Sequence, residues 1–453
     1  MASNDFSLKR TLKLRHIVIL GLAYMSPYAI FDTFGIITEL TDGHVPASYI
    51  LVMIAVLFTV FSYRKMARVY PTSGSAYTYT KKTMSSGLGF LIGWIVLLDY
   101  LFLPMINAMF TKIYLSAVFP SVPGWIWIVG MIILITGMNV AGVKVAVSAN
   151  MLMVAFQFLI AAIFVILTLR TTITGEVGYF SLDPFYSVSM DFSTVFAGAS
   201  ILMLSFLGFD AVTTLSDETE NPKKDIPRAI FLVAFLGGIF FLAVSYIMQS
   251  LFPDLSALAV VSPDLEEASP NIALYIGGTL FQAIFLAGAL TACIASGLAG
   301  QTSGSRLLYA MGRDGVLTKK IFGFVHPRYA TPVYNVILTG LLACSALFLS
   351  LHAATSLINF GAFTAFSFVN LSVIFYFLRV KKDKTYTVGS VIGYMIVPFI
   401  GFLFNAYLWL NLDSSAMTLG LCWSAAGLAY LIYLTKGFTK APPEIDFSES
   451  EAS

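Results

Sequence analysis

Three carboxylates stand inside apolar stretches of this chain: Asp32, Asp99 and Asp210. An ionisable side chain at the centre of a bilayer costs about 2.5–3.5 kcal/mol on insertion scales, so its presence asks for a use. A buried Asp that only ties helices together is the plain alternative. The functional reading is preferred because the surroundings repeat. Asp210 ends the run Leu204-Ser205-Phe206-Leu207-Gly208-Phe209, and Asp32 follows Tyr24-Met25-Ser26-Pro27-Tyr28. Each run puts helix-breaking residues in the middle of an apolar segment. Pro27 removes a backbone donor, and Gly208 lowers the cost of unwinding. Asp99 lies in Leu97-Leu98-Asp99-Tyr100-Leu101-Phe102-Leu103-Pro104.

No Lys, Arg or His is expected near the midplane to pair with these acids. Lys112 sits roughly three turns beyond Asp99 and reads as snorkelling to the interface. The counter-ion must then come from outside the chain: a metal cation, sodium, protons or an organic cation. Aromatic residues crowd the same places, with Tyr24, Tyr28, Phe31 and Phe34 near one break, Tyr100 and Phe102 beside Asp99, and Phe206 and Phe209 beside the other. Carboxylates with aromatic faces suit an organic ammonium, whose methylenes are apolar and whose charge can lie over a ring. For any single ring, helix packing is the simpler account; the grouping at both breaks favours the site.

The elements that must position these residues follow from composition. Of 453 residues, 58% are hydrophobic and 11% charged, against about 25% charged in an ordinary soluble domain. The chain reads as an all-α, polytopic membrane protein. Twelve apolar segments are long enough to span: roughly 16–37, 47–67, 88–117, 125–143, 147–169, 193–216, 229–252, 278–310, 333–351, 354–379, 390–410 and 416–435. Every basic residue except Arg170 and Lys112 falls on one side of this arrangement, from Lys9 and Arg10 through Arg64, Lys144, Lys223, Arg306, Arg328 and Lys381 to Lys440. The positive-inside rule then puts both termini in the cytoplasm. The outer loops hold Glu176, Asp183, Asp191, Asp254, Asp264, Glu266 and Glu267. They read as solvated loops or as a weak attraction for cations, which salt would screen.

The expected organisation is a cytoplasmic N-terminal segment (1–15), a transmembrane domain (16–435) and an acidic cytoplasmic tail (436–453). The basic N-terminal segment is followed by no small-residue cleavage site, so it reads as retained. Breaks in two spans five segments apart point to an inverted repeat, with one half about 16–169, the other about 193–379, and two appended helices over 390–435. Cys293, Cys344 and Cys422 show no metal-like spacing and read as small core residues. The four histidines carry no metal-binding motif, and no catalytic serine or cysteine motif stands out, so no enzyme, metal or cofactor is expected. Nucleic-acid binding has no basic folded domain to support it. Asp217, Glu218 and Glu220 near Lys223, Lys224 and Arg228 are either gate contacts or solvated charges.

At these residues the chain resembles the amino acid–polyamine–organocation superfamily of secondary transporters, and within it the bacterial putrescine importers. The stretches that carry the resemblance include Phe31-Asp32-Thr33-Phe34-Gly35, Asp42-Gly43-His44-Val45-Pro46, the Asp99 segment through Asn107, Ser205-Phe206-Leu207-Gly208-Phe209-Asp210, Met311-Gly312-Arg313-Asp314-Gly315 and Leu357-Ile358-Asn359-Phe360-Gly361. The resemblance implies a leucine-transporter-like fold of twelve transmembrane helices, a 5+5 inverted repeat plus two, working by alternating access in the inner cell membrane. It implies a pocket formed by the two broken segments with segments 3, 8 and 10. On this chain that gives Ser26, Pro27, Tyr28, Asp99, Ser205, Gly208 and Asp210.

Amino acid carriers of the superfamily tend to hold the substrate carboxylate on a Gly-Ser-Gly-like break. Here Pro27 offers no amide hydrogen, Tyr28 is bulky and Asp32 would repel a carboxylate. A diamine is expected, with Asp99 and Asp210 first and Asp32 next as ammonium partners, and Tyr24, Tyr28 and Tyr100 adding hydroxyls or faces. An amino acid permease or a polyamine/amino acid exchanger is the alternative. Some proton-coupled relatives use a lysine in segment 5; here that segment offers Gln157. A buried carboxylate can carry a proton, which makes Asp32 or Asp210 a candidate carrier beside the membrane potential as driving force.

Overall fold

In the computed structural model, residues 12–71, 75–141, 147–175, 180–313, 315–326, 329, 331–380, 387–440 and 442 are described. Most of the N-terminal segment, Lys144, Glu176, Asp314, Arg328, Lys381 and all but a few residues of the acidic tail lie outside them, as do the side chains of Asp217 and Glu218. Among the described residues the chain is helical throughout, with one isolated backbone bridge, Leu12 to Thr219.

The helices run in order α1 (Leu14–Met25), α2 (Ala29–Thr41), α3 (Val45–Val69), α4 (Ser75–Thr83), α5 (Ser86–Ser116), α6 (Gly124–Val140), α7 (Val147–Thr174), α8 (Phe192–Phe206), α9 (Pro222–Leu251), α10 (Leu255–Val261), α11 (Ala268–Arg313), α12 (Lys319–Phe322), α13 (Val333–Ala343), α14 (Leu351–Phe375), α15 (Val388–Val391), α16 (Val397–Leu410) and α17 (Ser414–Leu434). By length and apolar composition, nine helices among the described residues can cross a membrane. Gly124–Val140 and Val333–Leu347 are shorter apolar helices, and the first apolar segment is divided between α1 and α2.

Both expected breaks are present. Between α1 and α2, Ser26 takes a left-handed φ of 51° and Pro27 follows it. After Phe206 the chain is extended at Leu207, turns left-handed at Gly208 with φ 112°, and resumes as a 3₁₀ helix over Ala211–Glu218. Backbone groups freed in this way are tolerated at membrane depth only where protein or a cavity receives them.

The centre of the bundle is α5, which packs along α11 and α14, while α3 packs along α9. Small residues set these approaches. A Cβ on Gly361 of α14 would lie 3.1 Å from the Ile95 carbonyl oxygen, and one on Gly304 of α11 would lie 3.2 Å from the Tyr100 carbonyl oxygen. Pro104 has no N–H to offer that Tyr100 carbonyl, so α5 continues there with one ladder hydrogen bond missing. A buried polar knot joins α3, α14 and α16. Asn370 and Asn405 both donate to Thr59 Oγ1, at 3.0 and 2.6 Å, and Ser62 donates to Asn370 Oδ1 at 2.6 Å.

Candidate substrate site

The two broken helices, α5, α11 and α14 enclose a cavity of about 320 Å³. That is the low end of the range for small-molecule sites. All three intramembrane carboxylates, Asp32, Asp99 and Asp210, line it. So do Tyr24, Ser26, Tyr100 and Gly208. Three expected residues, Pro27, Tyr28 and Ser205, do not. Tyr28 is buried and its hydroxyl donates to the Phe285 carbonyl at 3.1 Å. Ser205 is buried and shares a hydrogen bond of 3.3 Å with the Tyr49 hydroxyl.

The local chain explains each placement. Gly208 brings the second break against the first: a Cβ there would lie 3.1 Å from the Met25 amide nitrogen. The Gly208 amide donates to Asp210 Oδ1 over a long 3.4 Å, so the carboxylate turns back over its own break. Asp32 lies in the first turn of α2, where the helix dipole favours a negative charge. Its Oδ1 accepts a hydrogen bond from the Tyr114 hydroxyl of α5. The Asp99 carboxylate makes no hydrogen bond or ion pair among the described residues. It lies close enough to Asp210 to interact with it electrostatically, and Tyr63 and Tyr79 are further electrostatic neighbours of Asp210.

Along α5 and α11 the wall has an order. At one end are Ile106, Asn107, Phe110 and Cys293; at the other are Ser75, Tyr77 and Arg306. Asn107 donates to Ser296 Oγ at 3.1 Å and joins the two helices at the first end. Sequence reasoning placed Arg306 with the cytoplasmic charges, and the structure adds it to the cavity wall. It also missed Tyr63 and Asn107, which carry no signal beyond being polar in apolar helices. Lys112 faces away from the acids and forms a 4.0 Å ion pair with Glu266, both about two-fifths exposed.

The arrangement can receive a cation with an apolar body. Three carboxylates line one cavity together with the apolar Val96, Leu103, Ile106 and Ala362 and the phenols of Tyr24, Tyr63 and Tyr100. Burying such a cation without partners would be prohibitive, and the carboxylates supply them.

A model of the amino acid permease family matches residues 16–433. The chain is similar to the low-affinity putrescine importer PlaP of Escherichia coli (strain K12), with 43% identity over 97% of this chain and 96% of the relative. It is also similar to the branched-chain amino acid permease BcaP of Bacillus subtilis (strain 168), at 28% identity over 96% of this chain and 95% of that protein. The methylthioribose transporter of the same organism is 29% identical over 96% of this chain and 95% of its own length.

Proposed function

This chain belongs to the amino acid permease family, and from that premise we propose that it imports putrescine across the inner cell membrane by alternating access. The observation that carries the reading is the single cavity lined by Asp32, Asp99 and Asp210. Putrescine has two ammonium groups on a short methylene chain. The cavity carboxylates hold the ammonium groups, Asp99 and Asp210 before Asp32, while Tyr24, Tyr100 and Ser26 complete the wall. The likeness to a putrescine importer along nearly the whole chain supports the same substrate.

The fold proposed with this function has twelve transmembrane helices, two inverted repeats of five and two appended helices, with both termini cytoplasmic. The broken first and sixth helices tilt about the substrate. A dication moving inward gains about 4.6 kcal/mol per 100 mV, twice the value for one charge, so the membrane potential supplies much of the drive. A proton carried by Asp32 or Asp210 adds to it. The residues do carrier work and no covalent chemistry.

One observation favours a second reading. Arg306 lines the same cavity and could pair with the carboxylate of an amino acid. Uptake of labelled putrescine and labelled leucine or lysine into proteoliposomes separates the two. Saturable putrescine uptake that amino acids do not inhibit supports the diamine reading; amino acid uptake that putrescine does not inhibit overturns it.

A further inference from the structure

The three cavity acids fall into two groups. Asp99 and Asp210 are electrostatic neighbours. Asp32 has a different company: the Tyr114 hydroxyl, which donates to it, with Tyr28 and Cys293 also near. Tyr114 and Asp99 stand on the same helix, α5, at positions about 22 Å apart along its axis at 1.5 Å per residue. A helical side chain leans back toward the N-terminus, which brings the phenol, and Asp32 with it, down toward Asn107. Asp32 and the Asp99–Asp210 pair therefore face the cavity from opposite ends.

Tyr114 is held as well as holding. It is buried, and its ring meets Phe285 edge-on at 6.1 Å. The helix that carries Asp32 is tied to α11 twice more, by Tyr28 donating to the Phe285 carbonyl at 3.1 Å and by Ser269 donating to the Phe31 carbonyl at 2.7 Å. A free carboxylate could swing to meet chains of several lengths. One bonded to a pinned phenol cannot.

We infer that Tyr114 is a positioning residue that fixes Asp32 as a distal ammonium subsite, so that the span from Asp32 to the Asp99–Asp210 pair selects the length of the diamine. The inference rests on the diamine reading above and narrows it: one ammonium group is shared by Asp99 and Asp210, and the other goes to Asp32.

The test uses the full chain in proteoliposomes. Labelled putrescine uptake is inhibited by a series of α,ω-diamines with three to six methylenes, for the parent, Tyr114→Phe, Asp32→Asn and Phe285→Leu. For the parent we expect a sharp optimum, with apparent affinity falling about tenfold or more per methylene away from it. Tyr114→Phe keeps the ring and loses the bond; it should flatten that profile severalfold, raising KM with little change in kcat. Asp32→Asn keeps an acceptor and loses the charge; it should flatten the profile too, and provides the readout if Tyr114→Phe does not fold. Phe285→Leu loosens the packing around the phenol and keeps the bond, so it should flatten the profile less than Tyr114→Phe does. A parent-like profile in Tyr114→Phe, or equal flattening in Phe285→Leu, overturns the assignment alone. A parent that carries no putrescine overturns the diamine reading with it.

Discussion

Gly208 stands against the backbone of Tyr24: a Cβ built on it would lie 2.8 Å from the Tyr24 Cβ and 2.9 Å from its carbonyl carbon. Its φ of 112° is one that side-chain-bearing residues rarely adopt. The two helix breaks therefore meet at this glycine, and the contact has no room for a methyl group. Gly208→Ala should cost about 1–3 kcal/mol of backbone strain and force the breaks apart. Expected are a lower unfolding temperature in detergent and little or no transport at matched protein levels. Parent-like uptake by Gly208→Ala would mean that the breaks need not touch.

A second prediction concerns stability without transport. Trp94 of α5 donates to the Trp423 carbonyl of α17 at 3.1 Å, and Trp423 donates to the Trp94 carbonyl at 2.9 Å. The rings stack with centroids 5.0 Å apart. Neither indole lines the cavity. Trp423→Phe keeps a ring, loses one donor and leaves a carbonyl short of its partner, at a cost of about 1–3 kcal/mol. Thermal unfolding should fall while KM stays at the parent value. A changed KM would link α17 to the substrate site.

A third prediction concerns pH at the α9–α10 turn. Asp254 Oδ1 accepts from the Ala257 amide at 2.8 Å and from the Ser256 hydroxyl at 2.6 Å, and so caps α10. These bonds hold its carboxyl below the usual carboxylate range. A group whose folded pKa is lowered stabilises above its unfolded pKa, and that contribution is lost as the pH falls through the folded value. Asp254→Ala should weaken this helix by about 1 kcal/mol at neutral pH. The difference should shrink once the pH drops below about 4. Amide exchange over Leu255–Val261, corrected for intrinsic rates, reads both arms. A difference unchanged at low pH would show that the cap acts without its charge.

The acids and the breaks were legible because each violates a strong rule. A carboxylate in an apolar segment and a Pro or Gly at its middle stand out against their neighbours. Each of the twelve apolar segments likewise contains helix, since hydropathy over a long window averages out local ambiguity. What stayed hidden depends on contacts between distant residues. Tyr114 is one aromatic among many, and only the folded arrangement brings its hydroxyl to Asp32. Ser205 and Tyr28 stand beside the breaks, yet their polar atoms turn to Tyr49 and to the Phe285 carbonyl. Residue type marked the neighbourhood of the site; it carried no information about which way each side chain turned.

The proposed uptake depends on carboxylates that receive a dication. The most direct measurement is uptake of radiolabelled putrescine into proteoliposomes, with and without an inside-negative potential, for the parent, Asp99→Asn and Asp210→Asn. Each substitution keeps the size of the side chain and removes its charge. The predicted result is potential-stimulated uptake by the parent that falls at least about tenfold in both variants, the loss of one charged pairing worth roughly 1.4 kcal/mol or more. Undiminished, potential-stimulated uptake by both variants would contradict the claim that these carboxylates form the site.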